Sequence, residues 1–324
     1  MLRINLSNLD KNVKQVSGSK KLIAVVKSNA YGCGAVEISK HLQSIGVEIL
    51  FVNDVDEALE LLENNIKAKI IIHNSLQEQD LFLLKYPNVI ATINSLEDAK
   101  ILSKFKNVTC HIQIDTGMGR LGIKSISEFK NVLDYLHKHK FNINGIYTHF
   151  SSANSAHKEL EKFKEFAEME SFPIVHCLSS ATYNKLDYGN YCRVGLALYD
   201  LNQVASVISK PILIKKINKG ESISYDSIYT AQDDELICIL PIGYGNGYSR
   251  KFEGFHIYSQ GKFYPIIGRI CMNHIFVRID DSIAMDSIFE LTSENLPVND
   301  LASFAKCTKY EIYSNFKFRK VIYK

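Results

Sequence analysis

No Cys-x-x-Cys pair occurs in this chain; its seven cysteines stand singly. An odd, dispersed set of that kind points to reduced thiols in the cytoplasm and argues against a zinc site, and no metal ligand set is expected. Long apolar runs are missing as well. The amino-terminal Met1-Leu2-Arg3-Ile4-Asn5-Leu6-Ser7 lacks the apolar core of a signal peptide, and no later run approaches the length of a membrane span. Charge of one sign is scarce: 38 Lys and Arg against 35 Asp and Glu leave a formal net charge of +3. For this length that is too little to imply nucleic acid or a membrane surface as a partner. There is no low-complexity tract. What remains is an ordinary globular composition, 46% hydrophobic and 23% charged. A chain of 324 residues is long enough for one large domain and a smaller one.

The run Leu22-Ile23-Ala24-Val25-Val26 leads straight into Lys27 and a small-residue turn, Ser28-Asn29-Ala30-Tyr31-Gly32-Cys33-Gly34. An apolar run this short, opening a series of alternating elements, reads as a strand buried on both faces. At its carboxyl end Lys27 would be partly desolvated. Burial disfavours the ammonium form and frees the amine as a nucleophile toward an aldehyde. A strand that ends in a solvated lysine is the commoner case for such a pattern, and the run alone leaves both open.

From Asn5 to Val16 apolar residues repeat at helical spacing, with Ser7 as a candidate cap. A strand-then-helix rhythm follows. The pattern predicts strands at Leu22–Val26, Ile49–Val52, Lys69–Ile72, Val89–Ile93, Thr109–Ile114, Ile143–His149, Ile174–Leu178 and Tyr191–Leu196. Helical patterns lie between them at Val36–Ser44, Asp54–Glu63, Leu96–Phe105, Ile126–His139 and Ala156–Met169. Eight strands alternating with helices fit a (β/α)8 barrel better than an open sheet. No Gly-x-Gly-x-x-Gly turn follows the first strand, which weakens a dinucleotide-binding fold further. Past Pro211 helical spacing largely disappears and short strands follow, at Ile212–Lys216, Glu235–Leu240, Phe263–Ile267, Ile275–Ile279 and Ser287–Leu291. The chain therefore reads as α/β, a barrel over residues 1–210 followed by a mostly β domain over 211–324.

On that reading the polar residues cluster where barrel enzymes place chemistry. Lys27 ends strand one, Asp115 to Arg120 follow strand five, and His149 ends strand six. Ser179 and Ser180 end strand seven, and Arg193 with Gly195 belongs to strand eight. These are carboxyl ends, and phosphate commonly binds after strands seven and eight. Singly, His149 or Arg193 would more often be a hydrogen-bonded structural side chain.

The string Val25-Val26-Lys27-Ser28-Asn29-Ala30-Tyr31-Gly32-Cys33-Gly34 closely resembles the lysine signature of the alanine racemases, which carry pyridoxal phosphate on that lysine; their usual string has Ala for Ser28 and His for Cys33. Asp115-Thr116-Gly117-Met118-Gly119-Arg120-Leu121-Gly122 resembles the family's arginine loop, and Tyr147-Thr148-His149-Phe150 its histidine strand end. His176-Cys177-Leu178-Ser179-Ser180-Ala181 matches a string with Asn for Ser179, and Arg193-Val194-Gly195-Leu196-Ala197-Leu198-Tyr199 matches the second arginine segment. In the second domain Ser224-Tyr225-Asp226 resembles the catalytic tyrosine segment, where Gly usually stands for Asp226. Pro241 to Gly247, Gly268 to Asn273 and Lys309-Tyr310-Glu311-Ile312 also match, with Asp more usual than Asn273. At least six motifs occur in the family's order over nearly the whole chain.

The resemblance implies a cytoplasmic homodimer of shared active sites that interconverts L- and D-alanine and supplies D-alanine for cell-wall peptidoglycan. Lys27 and Tyr225 would be the two bases. Lys27, Tyr31, Arg120, His149, Ser180, Arg193, Gly195, Leu196 and Tyr310 would bind the cofactor, pyridoxal 5'-phosphate. Arg120 and Met272 would touch substrate, the Met272 contact coming from a partner chain, with Tyr244 and Arg269 lining the approach. Arg193 would face the pyridine nitrogen, and as a permanent cation it cannot protonate that ring. Many members have a carbamylated lysine where this chain has Gln113, so the device that orients Arg120 must differ. Tyrosine ordinarily titrates near about 10, so Tyr225 would need neighbours such as His149 and Arg193 to act at neutral pH. Two other readings stay open. One is a racemase of the same fold acting on serine, lysine or a broad set; the other is a non-catalytic pyridoxal-phosphate carrier, against which the second domain argues.

Overall fold

The computed structural model describes residues 1–324. Eight parallel strands close into a barrel: Lys21–Val25, Ile49–Val52, Lys69–Ile72, Val89–Ile93, Thr109–Ile114, Asn142–Thr148, Ile174–Leu178 and Tyr191–Val194. Closure is made by the first and last strands, with Ile23 opposite Arg193. Strands covered on both faces are largely apolar, and Val89–Ile93 and Ile49–Val52 are buried along their whole length. The intervening helices start at side-chain caps. Asp54, Ser95 and Ser125 each accept the backbone N–H three residues on, from Glu57, Asp98 and Glu128. Between the third and fourth strands the connection is a 3-10 helix, Glu78–Lys85.

The expected division at residue 210 needs correcting. The compact unit holding the barrel is Asp10–Leu201, and the second unit joins Met1–Leu9 to Asn202–Lys324. The cause is strand pairing. Leu2–Ile4 lies antiparallel to Ala205–Ser209 and parallel to Val321–Tyr323, so the amino-terminal residues belong to the β unit's sheet. That sheet has nine strands, in the order Leu213–Ile217, Glu235–Leu240, Ile275–Ile279, Lys262–Ile267, His256–Ser259, Phe289–Thr292, Ala205–Ser209, Leu2–Ile4 and Val321–Tyr323. Beside it, the ribbon of Ser222–Ile223 and Tyr229–Thr230 helps enclose a core of Ile217, Ile223, Ala231, Ile237 and Ile267. Two helices that the sequence pattern did not reveal, Val298–Ala305 and Lys309–Asn315, sit late in this unit. The first helix, Leu6–Ser17, is capped by Asn5 rather than Ser7: Asn5 Oδ1 accepts Asn8 N at 3.0 Å.

Candidate active site

Immediately after the first barrel strand the backbone turns left-handed. Ser28, Asn29, Ala30 and Tyr31 all have φ between 50° and 55°. Each such residue costs an L-amino acid about 1–2 kcal/mol, so the turn needs strong anchoring. Glu57 supplies it, accepting Ser28 N at 2.6 Å and Asn53 N at 2.7 Å through its two carboxylate oxygens. Asn29 Oδ1 takes Ala35 N at 2.8 Å, and Gly34 N reaches Asn29 O at 3.0 Å. The turn fixes Lys27 half-buried at the barrel's carboxyl end. There its ammonium form is disfavoured, first by burial and then by the charge of Arg120; Glu57 opposes the shift and Arg193 adds to it.

Arg193 is buried and held on several sides. Its Nη1 donates to His176 Nδ1 at 2.7 Å, and its Nη2 donates to Thr148 O at 3.0 Å and lies 3.4 Å from His149 Nδ1. The guanidinium sits over the rings of Tyr147 and Phe51, at 4.7 and 5.1 Å from their centroids. Because arginine only donates, His176 must accept at Nδ1 and carry its proton on Nε2, which faces His111 Nδ1 at 3.0 Å. Burial, then the charge of Arg193, pushes His149 down to about 3 and His176 well below its ordinary value, so both rings are neutral.

At the seventh and eighth strands a small cradle forms. Ser180 Oγ accepts Gly195 N at 3.3 Å and Ala197 N at 3.1 Å, and Leu196 opens the short helix that follows. A Cβ on Gly195 would lie 2.1 Å from Tyr31 Oη, so glycine is required here for close approach. The Tyr31 ring stacks on Tyr199 at 4.9 Å, and Tyr199 Oη donates to Val25 O at 2.9 Å, tying the cradle back to the Lys27 strand.

In the loop after the fifth strand, Asp115 Oδ1 accepts Gly117 N and Gly119 N at 3.1 and 3.0 Å. Arg120 projects from this loop, exposed, with no hydrogen bond or ion pair to the rest of the chain. Gln113 does not face it. The amide nitrogen donates to Leu121 O at 3.2 Å and the amide oxygen accepts from Tyr147 Oη at 2.7 Å.

The remaining sequence-derived residues lie in the β unit. Tyr225 is 68% exposed at a tight turn whose next residue, Asp226, has φ 59°. Aspartate tolerates that left-handed conformation better than most residues, which explains how the turn survives without glycine. Met272 is exposed, and its carbonyl accepts Gly245 N at 2.8 Å. Arg269 Nη1 donates to Glu253 Oε2 at 3.2 Å, while Tyr244 and Tyr310 are exposed. Residues not singled out from the sequence also belong to the barrel site: Glu57, His73, His111, and the role of His176. A histidine closing the otherwise apolar run Ile70-Ile71-Ile72 was the available signal for His73.

Two family models divide the chain between them. The alanine racemase N-terminal domain matches residues 4–203, and the alanine racemase C-terminal domain matches residues 204–322. The chain belongs to the alanine racemase family. An alanine racemase of Pediococcus pentosaceus is 31% identical, over 96% of this chain and 91% of that protein. The crystal structure of an alanine racemase from E. faecalis superposes with a TM-score of 0.93 at 28% identity, covering 100% of this chain and 97% of that one. A histidine racemase from Leuconostoc mesenteroides shares the fold, with a TM-score of 0.92 at 18% identity over 100% of this chain and 97% of its own. The family's enzymes are isomerases, and the barrel residues fit the cofactor that the resemblance implies. A half-buried amine, a cradle that a Cβ would fill and a locked guanidinium fit an aldehyde, a phosphate and a pyridine nitrogen respectively.

Proposed function

We propose that this chain interconverts L- and D-alanine in the cytoplasm with pyridoxal 5'-phosphate held on Lys27, supplying D-alanine for peptidoglycan. Lys27 carries the reading: a half-buried primary amine at the carboxyl end of a barrel, its ammonium form opposed by burial and by Arg120. When bound, pyridoxal phosphate supplies an electron-withdrawing conjugated ring that makes the Cα–H of an attached amino acid acidic. The chain does the rest. Lys27 Nζ takes or returns the Cα proton on one face, and Tyr225 Oη does so on the other. Ser180, Tyr31, Gly195, Leu196 and Tyr310 hold the phosphate, and Arg120 faces the phenolic oxygen and, with Met272, the substrate. Arg193, donating to His176 and Thr148, offers the ring nitrogen a cation that gives up no proton. By withholding a proton from the ring nitrogen, Arg193 would limit side chemistry such as transamination.

Two bases on opposite faces of one planar group must come from different directions. In our reading Tyr225 and Met272 of one chain complete the Lys27 site of its partner in a homodimer; their exposure on the β unit supports this. A chiral assay over alanine, serine, lysine and histidine tests the reading. Alanine should racemise fastest. Faster turnover of another amino acid would overturn the substrate, and cofactor binding with no racemisation of any would make the chain a carrier.

A further inference from the structure

The loop that carries Arg120 folds back onto the strand it leaves. Asp115 N donates to Ile123 O and Ile123 N donates to Gln113 O, each at 2.9 Å. At the closure Gly122 has φ 114°, and a Cβ there would lie 2.8 Å from Asp115 N and 3.0 Å from Gln113 O. The two limbs therefore meet backbone against backbone. Asp115 Oδ1 holds the outgoing limb by accepting Gly117 N and Gly119 N. A side chain holds the returning limb: Gln113 Nε2 donates to Leu121 O, one residue past Arg120, at 3.2 Å. The tip from Gly117 to Arg120 stands exposed between these two holds.

The direction of the Gln113 amide is set at both of its ends. Turned over, its oxygen would face Leu121 O, two acceptors with no proton between them. As it stands, Tyr147 Oη donates to Gln113 Oε1 at 2.7 Å. Tyr147 is fully buried, stacked on His176 at 4.6 Å and covered by the Arg193 guanidinium at 4.7 Å. Burial pushes its phenol up to about 12, so the proton shared with Gln113 stays in place. One ring thus meets Arg193 with its face and, through Gln113, the Arg120 loop with its hydroxyl.

We propose that Gln113 is a positioning residue for Arg120: its amide clamps the returning limb through Leu121 O, and Tyr147 sets the amide's direction. The clamp is neutral and grips backbone, so it fixes where the loop presents Arg120 without cancelling the guanidinium charge. That the placed cation serves an anionic oxygen of cofactor or substrate rests on the proposed function. The clamp itself does not.

Amide hydrogen exchange, followed with and without pyridoxal phosphate, tests it. In Gln113→Leu the Asp115 and Ile123 amides should exchange about fivefold to tenfold faster, the loss of one buried hydrogen bond, while Ile112 in the same strand keeps its rate. Gln113→Glu is the conservative variant. Protonated, its carboxyl donates to Leu121 O and accepts from Tyr147; ionised, it can only accept. Relative to intrinsic rates, its loop should be protected at acid pH and open as the carboxyl ionises, between about pH 5 and 9 for a buried glutamate. The unaltered loop should show no such step. Cofactor affinity should fall about tenfold in Gln113→Leu, and adding Gln113→Leu to Arg120→Leu should cost nothing more. Unchanged exchange in Gln113→Leu, faster exchange spread evenly along the strand, a Gln113→Glu loop indifferent to pH, or additive losses of affinity overturns the proposal. A protein that binds no pyridoxal phosphate defeats the cofactor reading alone, because exchange still reports the clamp.

Discussion

Gly195→Ala is the substitution that probes the cradle most directly. Gly195 has φ −116° and ψ −92°, outside the left-handed region. The objection is space. An added Cβ would lie 2.1 Å from Tyr31 Oη, 2.9 Å from Cζ and 3.2 Å from Cε2. Tyr31 cannot swing aside cheaply: it is buried, belongs to the left-handed turn, and stacks on Tyr199. Overpacking of this kind costs about 1–3 kcal/mol. A value of about 2 kcal/mol corresponds to a drop of roughly 4–8 °C in the midpoint of a unit this size. Because the displaced ring belongs to the turn carrying Lys27, pyridoxal phosphate affinity should fall as well. Tyr31→Phe removes the nearest atom and leaves the ring carbon at 2.9 Å, so it should restore about half of the lost stability or more in the double variant. Thermal unfolding and absorbance titration with the cofactor measure both effects. A Gly195→Ala protein with unchanged midpoint and affinity, or one that Tyr31→Phe does not relieve, refutes the close-approach argument.

Borohydride treatment of the yellow, cofactor-loaded protein should fix label on the peptide containing Lys27, and Lys27→Ala should show no label and lose roughly 100-fold or more in activity; label on another lysine contradicts the site. Lys27→Ala and Tyr225→Ala proteins should each be nearly inactive alone. After subunit exchange they should recover toward half of the unaltered activity per heterodimer, by the count of intact sites; silent heterodimers would place both bases on one chain. His73, His111, His149 and His176 all have folded-state pKa values depressed by burial first, while an unfolded histidine protonates near about 6.5. The unfolded chain therefore binds more protons as pH falls below about 6.5. Stability held above that pH is then lost, by up to about 1.4 kcal/mol per pH unit for each histidine. Urea midpoints from pH 7 to 5 should fall steeply, and His149→Gln should flatten the slope by about one proton; equal slopes would mean that His149 titrates alike in both states.

Much of the architecture was legible because burial leaves a local signature. Ile49–Val52, Lys69–Ile72, Val89–Ile93, Thr109–Ile114 and Ile174–Leu178 end where the apolar pattern ends. A strand covered on both faces is mostly apolar, and the connections around it are mostly polar. The barrel followed by a β domain, and the residues at the barrel's carboxyl end, follow from that rhythm and from the motifs. Three things did not. Leu2–Ile4 joins a sheet whose neighbouring strand begins at Ala205, and nothing local to residues 2–4 names a partner about 200 positions away. The run of left-handed residues after Lys27 is anchored by Glu57, a residue of a distant helix, which accepts the Ser28 amide. And whether Gln113 faces Arg120 or Tyr147 depends on the direction of each hydrogen bond around it. Composition and period determine which residues are inside. Only the assembled structure decides which polar atoms meet there, because a buried donor or acceptor takes its partner from whatever distant segment the packing brings within reach.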